Sequence, residues 1–367
     1  MLIVGYFSLF VACKEKDLPD QSYIDFAKKI ERELSQNNGL SLSMAFDYDM
    51  FEKRVFEGMN LSAKEKKEAQ RLIRENTNPS KRILDIVYNG GDFYFVKFYR
   101  KNGKPHTIFR TYYNGGISLE DWELGVKEKQ VRVYDAFAII SGIHWSEDSR
   151  QRIYNQLNVF SDETANINTL IEVNYYLSND DYRTADSIYA QVIPQMKHNM
   201  YARTMGLNLA SIAKSYEEVQ TLAADFSNIF PDEDRISAFY LMQSAIHHGL
   251  IEESIAHIKE LIAIVGDDPI YYVYQSWAFQ QANENQFALE SLDSAITYLP
   301  SIFDLYINKL DLYYDMKNYS ECIHWLYRID SLFEPNEEDA AFIKIHYPDL
   351  LHEKKFAEWE EKKNKFY

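Results

Sequence analysis

The sequence predicts two modules of different class: an α+β domain of helices and an antiparallel sheet, then an all-α array of stacked helix pairs. Three observations predict this. The apolar period changes from helical to two after Pro79, and the second half repeats every 34 residues. The charge is also divided. Residues 13–150 carry 23 Lys and Arg against 22 Asp and Glu, whereas residues 151–367 carry 16 against 34. One module is close to neutral and the other strongly acidic. The 367 residues, 46% hydrophobic and 26% charged, suit about two globular domains. A net charge of −17 argues against nucleic acid, whose phosphates need a basic face. Two cysteines, Cys13 and Cys322, exclude a disulfide scaffold and a thiolate zinc site.

The first residues read as an address. Met1–Ala12 is MLIVGYFSLFVA, an uncharged apolar run too short for the roughly 20 residues that span a bilayer. It fits the h-region of a secretory signal. Phe10-Val11-Ala12-Cys13 resembles a bacterial lipobox, and Lys14-Glu15-Lys16-Asp17 is similar to the charged tether of Bacteroidota lipoproteins. The resemblance implies a signal peptide over 1–12, a lipid on Cys13, a tether over 13–21, and anchoring at the outer membrane, on its periplasmic or outer face. The run departs from the pattern in lacking a preceding Lys or Arg and in placing Phe10 where Leu is commoner. The other reading is an N-terminal core strand with a buried cysteine. With Cys13 lipidated, Cys322 stands alone on an apolar helical face and acts as a small hydrophobe.

Residues 22–145 predict the α+β domain. Tyr23, Phe26, Ala27, Ile30 and Leu34 recur at helical spacing, with Ser22 as cap and Gly39 as stop. Helices over 49–57 and 62–74 follow, the second opening with Ser62 and Glu65 at capping-box spacing. Segments 83–88, 93–100, 106–113, 117–124 and 131–140 are rich in aromatic and β-branched residues and predict strands. Asn89-Gly90-Gly91-Asp92, Asn102-Gly103 and Asn114-Gly115-Gly116 are hairpin signals between them. A curved sheet on helices, as in cystatin-like or NTF2-like folds, is the expected architecture.

Phe109-Arg110, Asn114-Gly115-Gly116, Trp122-Glu123-Leu124, Val131-Arg132-Val133-Tyr134-Asp135 and Ser141-Gly142 through Ser146 to Arg150 carry a further resemblance. They resemble a family of uncharacterised bacterial envelope proteins that join such a domain to a tetratricopeptide tail. It covers about a third of the chain and implies a shared fold but no reaction. Ile139-Ile140 departs from it, standing where an aromatic and a small polar residue are expected.

After a connecting helix over 146–164, residues 165–335 hold the repeat. Ala185, Val219, Ser254, Ala288 and Cys322 keep a step of 34 or 35 residues. So do Tyr189, Ala223, Ile258, Leu292 and Leu326; Val192, Phe226, Leu261, Ala295 and Ile329; and, one helix earlier, Tyr176, Ala210, Ala245, Phe279 and Tyr313. Pro231, Pro300 and Pro335 close their repeats. The pattern resembles five tetratricopeptide repeats, with Val173, Leu207, Met242, Ser276 and Leu310 where that family usually has glycine. Each pair has two apolar faces that only stacking buries. Residues 336–367 predict capping helices.

Motifs for chemistry are sparse. There is no HExxH, GxSxG, P-loop or GxGxxG. His247-His248 with His257 is a weak metal candidate, because adjacent histidines diverge by about 100° on a helix. His144-Trp145 beside Asp135 reads first as packing at the domain junction and second as a pocket. No cofactor, metal or catalytic residue is expected.

The expected function is a non-enzymatic envelope lipoprotein that scaffolds protein partners through its repeats. One residue per first helix forms the candidate groove column: Asn174, Asn208, Gln243, Trp277 and Asp311. Side-chain amides there can pair with both groups of an extended peptide. Residues 151–350 carry 11 basic against 30 acidic side chains, which favours a basic or neutral protein partner and steers it electrostatically. The alternatives are an accessory of outer-membrane assembly or glycan uptake and, third, an enzyme in the α+β domain.

Overall fold

The computed structural model describes residues 17–113, 115–157, 162–333 and 337–363. The lipobox with Cys13, the first tether residues, Asn114 and Pro335 lie outside them. Helices come first: α1 (Asp20–Ser35), α2 (Leu40–Ala45), α3 (Tyr48–Val55), α4 (Ala63–Asn76) and α5 (Pro79–Tyr88). The end of the expected tether is docked instead of loose, since Asp17 and Asp20 both pair with Arg100, at 2.8 and 2.7 Å. That moves the start of α1 ahead of Ser22, and Pro19 takes the cap position. Gly39 is not the stop either; α1 ends at Ser35 with Gln36 as its cap, and Asn37 makes the turn at φ 56°. The capping box on α4 is present, Ser62 and Glu65 bonding each other's backbone N–H.

The segment 83–88, expected as a strand, is the body of α5. Local chemistry at its start outweighs its β-branched residues. The Asn78 side chain accepts the Lys81 N–H, and Pro79 holds the first helical position with its φ preset. Asn89-Gly90-Gly91 is accordingly a helix-to-strand turn, and Gly91 lies so close to Ile86 that a Cβ would meet it at 2.6 Å.

The other four expected strands form one antiparallel meander: β1 (Asp92–Lys101), β2 (Lys104–Tyr113), β3 (Gly116–Lys127) and β4 (Gln130–Ala138). A two-residue β5 (Ile143–His144) completes the sheet, and β4 ends before Ile139. Asn102-Gly103 makes the β1–β2 hairpin with both residues at positive φ. Helix α6 (Trp145–Gln156) then packs back onto the same domain, its Trp145 and Ile153 joining the core of α1, α3 and the sheet.

Among the described residues ten helices follow in five hairpins: α7 (Asp162–Leu177) with α8 (Tyr182–Val192), α9 (Met200–Ala213) with α10 (Tyr216–Ile229), α11 (Asp234–His247) with α12 (Ile251–Val265), α13 (Tyr271–Gln281) with α14 (Asn285–Tyr298), and α15 (Phe303–Asp315) with α16 (Tyr319–Leu332). The chain closes with α17 (Glu337–His346) and α18 (Lys354–Lys363). Ala185, Val219, Ser254, Ala288 and Cys322 are all fully buried, as are Val173, Leu207, Met242, Ser276 and Leu310.

The turns of four pairs repeat as well. Asp180, Gly249, Asn283 and Lys317 all take positive φ just after the first helix of a pair. The next N–H then reaches back five residues, to the carbonyls of Tyr176, Ala245, Phe279 and Tyr313. This is the Schellman closure, which satisfies otherwise orphaned carbonyls. The second pair departs from it. Lys214 stays at φ −125°, and its N–H goes only to Ala210.

Both faces of the sheet are covered. One face presents Phe93, Phe109, Trp122, Leu124 and Val133 to the first helices. The other presents Ile108, Tyr112, Leu119, Phe137 and Ile139 to Leu207, Ile236, Tyr240, Tyr271 and Tyr274 of the helical half. The two modules therefore share a core, where an antiparallel sheet commonly leaves one face in water.

Candidate functional site

Three places carry enough chemistry to be weighed: the sheet–helix interface, the column on the first helices, and an open cleft beside α6.

Ion pairs run through the interface. Arg110, fully buried on β2, sends Nε to both oxygens of Asp268 at 2.8 and 3.1 Å and Nη2 to Asp92 at 2.8 Å. Burial alone would lower the pKa of this guanidinium, but the two carboxylates outweigh it and hold the group charged. Asp121 on β3 is met by His106 Nδ1 at 2.9 Å, by Arg235 at 2.8 Å and by the Tyr99 hydroxyl. Burial pushes the Asp121 carboxyl up. The hydrogen bond from His106 and the Arg235 charge overcome that and hold it well below the usual carboxylate range. Lys97 Nζ donates to the Ile264 carbonyl at 2.6 Å, and Tyr240 donates to the Ile140 carbonyl at 2.7 Å.

Asp135 and His144 do come together, with Nδ1 3.8 Å from the carboxylate. The Asp135 oxygens, however, are taken by the Ser146 hydroxyl at 2.6 Å and by the backbone N–H groups of Ala136 and Ser146. The carboxylate thus fastens β4 to the first turn of α6. The chamber shared by Asp135, His144, His106, Asp121 and Arg235 is about 50 Å³, room for a few waters. His257 is bound between Tyr216 and Glu260, apart from the His247–His248 pair, and no metal-ligating group of three occurs among the described residues.

The column residues sit one per first helix, as the repeat requires. Asn174 on α7 is exposed, while Asn208, Gln243, Trp277 and Asp311 are half-buried. Gln243 and Trp277 lie one turn beyond Tyr240 and Tyr274, which face the sheet. Trp277 packs edge-on against Tyr274 with ring centres 5.3 Å apart. Asp311 is engaged within the chain, accepting the Tyr347 hydroxyl at 2.6 Å, and burial pushes its carboxyl up. Much of the first-helix face expected to be an open groove is therefore occupied by the protein's own sheet. Basic groups of the sheet meet the helical half directly: Arg110 binds Asp268, Lys101 binds Glu233 and Lys97 donates to the Ile264 carbonyl.

The cleft of about 920 Å³ lies between the α4–α5 corner, the β4–β5 end of the sheet, α6, α7 and the start of α9. Its lower wall is apolar, with Ile73, Ile143, Ile153, Ile167 and Ile171; its rim carries Asn76, Asn78, Asn155 and Gln156. Arg82 crosses one end, stacked over the Trp145 ring at 5.4 Å and paired at 3.1 Å with Glu120, a fully buried carboxylate whose pKa burial raises. Reading the sequence alone missed Arg82, Glu120 and Gln151. β2 is buried over 105–112 on both faces, but the sequence did not signal it, because His106, Thr107, Arg110 and Thr111 interrupt any continuous apolar run. No known protein-family profile matches the chain, and no curated protein matches it either.

Proposed function

We propose that the helical half is a tetratricopeptide-type scaffold that binds a segment of another protein, carried by a non-enzymatic lipoprotein of the bacterial envelope. The observation that supports it most is the register of the five pairs. It gives Asn174, Asn208, Gln243 and Trp277 equivalent places on successive helices, one turn beyond the residues that the sheet covers on α11 and α13. Asp311, held by Tyr347, closes the column at its C-terminal end. Amides repeated along a stack can donate to and accept from a peptide backbone whatever its sequence.

A photo-crosslinking side chain placed at Asn174 and at Gln243 tests this. Crosslinks to one envelope protein, mapped to one segment of it, are expected. Trp277→Ala should then weaken that segment's binding by about tenfold or more, as for a lost aromatic anchor. Crosslinks scattered over unrelated proteins would refute the scaffold. For the anchor, a labelled fatty acid should mark the wild type and spare Cys13→Ser; equal labelling of both would remove the lipoprotein reading.

A further inference from the structure

The chain just ahead of α1 is fixed at one end of the sheet. Arg100, near the end of β1, holds Asp17 through Nη1 at 2.8 Å and Asp20 through Nη2 at 2.7 Å. The same Nη1 donates to the Gly103 carbonyl at 2.9 Å, so Asp17 sits against the β1–β2 turn. The Tyr23 hydroxyl adds a hydrogen bond to Asp17. From there α1 runs back along β1: Tyr23 stacks on Phe98, and Glu31 accepts the Phe95 N–H.

Four peptide steps separate Asp17 from Cys13. Whatever path they take, they reach at most about 14 Å. With a lipid on Cys13, the β1–β2 turn is confined to that distance from the headgroups. Its chemistry suits such a neighbour. Lys101, Asn102, Gly103 and Lys104 offer no apolar side chain to insert, and the charges are balanced within the protein, Lys101 by Glu233 at 2.5 Å and Lys104 by Glu123 at 3.0 Å. The opposite end of the sheet is about 30 Å away, because β2 has ten residues at ~3.3 Å each. There the Gly115 N–H donates to Asp304 at the start of α15. Residues 151–350 carry 30 acidic against 11 basic side chains, so anionic lipid repels the helical half and keeps it from lying flat. We propose that the β1–β2 turn, together with the docked residues 17–20, is the membrane-facing surface of this protein, held against phospholipid headgroups by a tether too short to let it turn away. The surface rests on the reading of Cys13 as a lipid anchor.

The test uses the acylated full chain, reconstituted in vesicles of phosphatidylcholine with a minority of phosphatidylglycerol and a lipid that carries a nitroxide quencher on its headgroup. A fluorophore is attached to Lys104→Cys or, as the distant position, to Ser301→Cys, both exposed. Cys322 is buried and an acylated Cys13 has no thiol, so neither competes for the label. Quenching should be severalfold stronger at position 104 than at position 301. Asp17→Ala with Asp20→Ala releases the docked segment and extends the reach to seven residues, about 24 Å. Quenching at position 104 should then fall severalfold, with the melting temperature close to wild type because both carboxylates are exposed. A Gly-Ser insert of about ten residues after Lys14 should abolish the difference between the two positions. Equal quenching at the two positions without the insert, no quenching at position 104, or quenching there that survives the insert overturns the assignment. So does a released variant that behaves like wild type. Fatty-acid labelling of Cys13 is read on the same preparation. An unlabelled Cys13 removes the anchor and this surface together, whereas a labelled chain with equal quenching removes the surface alone.

Discussion

The two faces of the sheet are buried by different means. Toward α1–α6 the centre of the contact is aromatic, with Phe93, Phe109 and Trp122 packed ring to ring at 4.4–6.0 Å, and the pairs Arg82–Glu120 and Arg54–Glu123 stand beside it. Toward the repeated helices, apolar residues alternate with paired charges: Arg110 sits between Ile108 and Tyr112, and Asp121 follows Leu119. An apolar face adheres to anything apolar, whereas a buried ion pair tolerates few arrangements. Breaking one partner leaves an uncompensated charge, so such pairs select register more than they add stability. In this protein the first face builds a domain. The second chooses how that domain meets the helices.

The comparison can be broken at several strengths. Ala288→Arg should be the most severe, because the position is fully buried between α13 and α14 and a lone charge there costs several kcal/mol. It should melt the helical half while β1–β4 stay folded, which amide hydrogen exchange of the strands reads separately from the loss of helical circular dichroism. A wild-type melt would place Ala288 outside the core. Next, Arg110→Met should cost about 3–5 kcal/mol in urea unfolding by stranding Asp268, and Arg110→Met with Asp268→Leu should recover most of it. Trp122→Ala should cost a similar ~3–5 kcal/mol through its cavity, with no such recovery from any charge partner. Full recovery in neither case, or in both, would erase the distinction between the faces.

Acid should act on the second face first. The Asp121 carboxyl is held below its unfolded value, so its contribution is complete above about pH 4 and is lost as pH falls toward the folded value. The urea midpoint of the wild type should fall more between pH 5 and pH 3 than that of Asp121→Asn. Parallel profiles would mean that Asp121 is not linked to folding. The smallest effect is expected from Trp277→Ala, where a half-buried ring loses an edge contact with Tyr274, about 1 kcal/mol of stability. A larger loss would assign Trp277 to the core and take it out of the column.

Local signals were readable where they were complete in themselves. The capping box at Ser62 and Glu65, the Asn102-Gly103 hairpin and the buried columns from Ala185 to Cys322 and from Val192 to Ile329 appear where spacing predicts them, while Tyr176, Tyr189, Phe279 and Tyr313 of the other two columns are half-buried. The turn column Asp180, Gly249, Asn283 and Lys317 was equally present in the sequence, but a left-handed residue that is not glycine carries no local mark. Segment 83–88 misled because β-branched composition is a weak preference, and the Asn78-Pro79 start decided the helix. Of the candidate site, the column's spacing was legible. What covers it was not.

By itself the sequence determined the order of the modules, the four strands of the meander, the 34-residue step and the acidity of the second half. These depend on period and composition, which act over a few neighbouring residues. Only the tertiary structure decided that the sheet lies against the first helices, that Arg110 finds Asp268 158 positions away, and that a cleft opens between α6 and α7 beside the β4–β5 end of the sheet. A period states which side of an element must leave water. It does not state what will receive it, because that depends on the combined shape and charge of surfaces far apart in the chain.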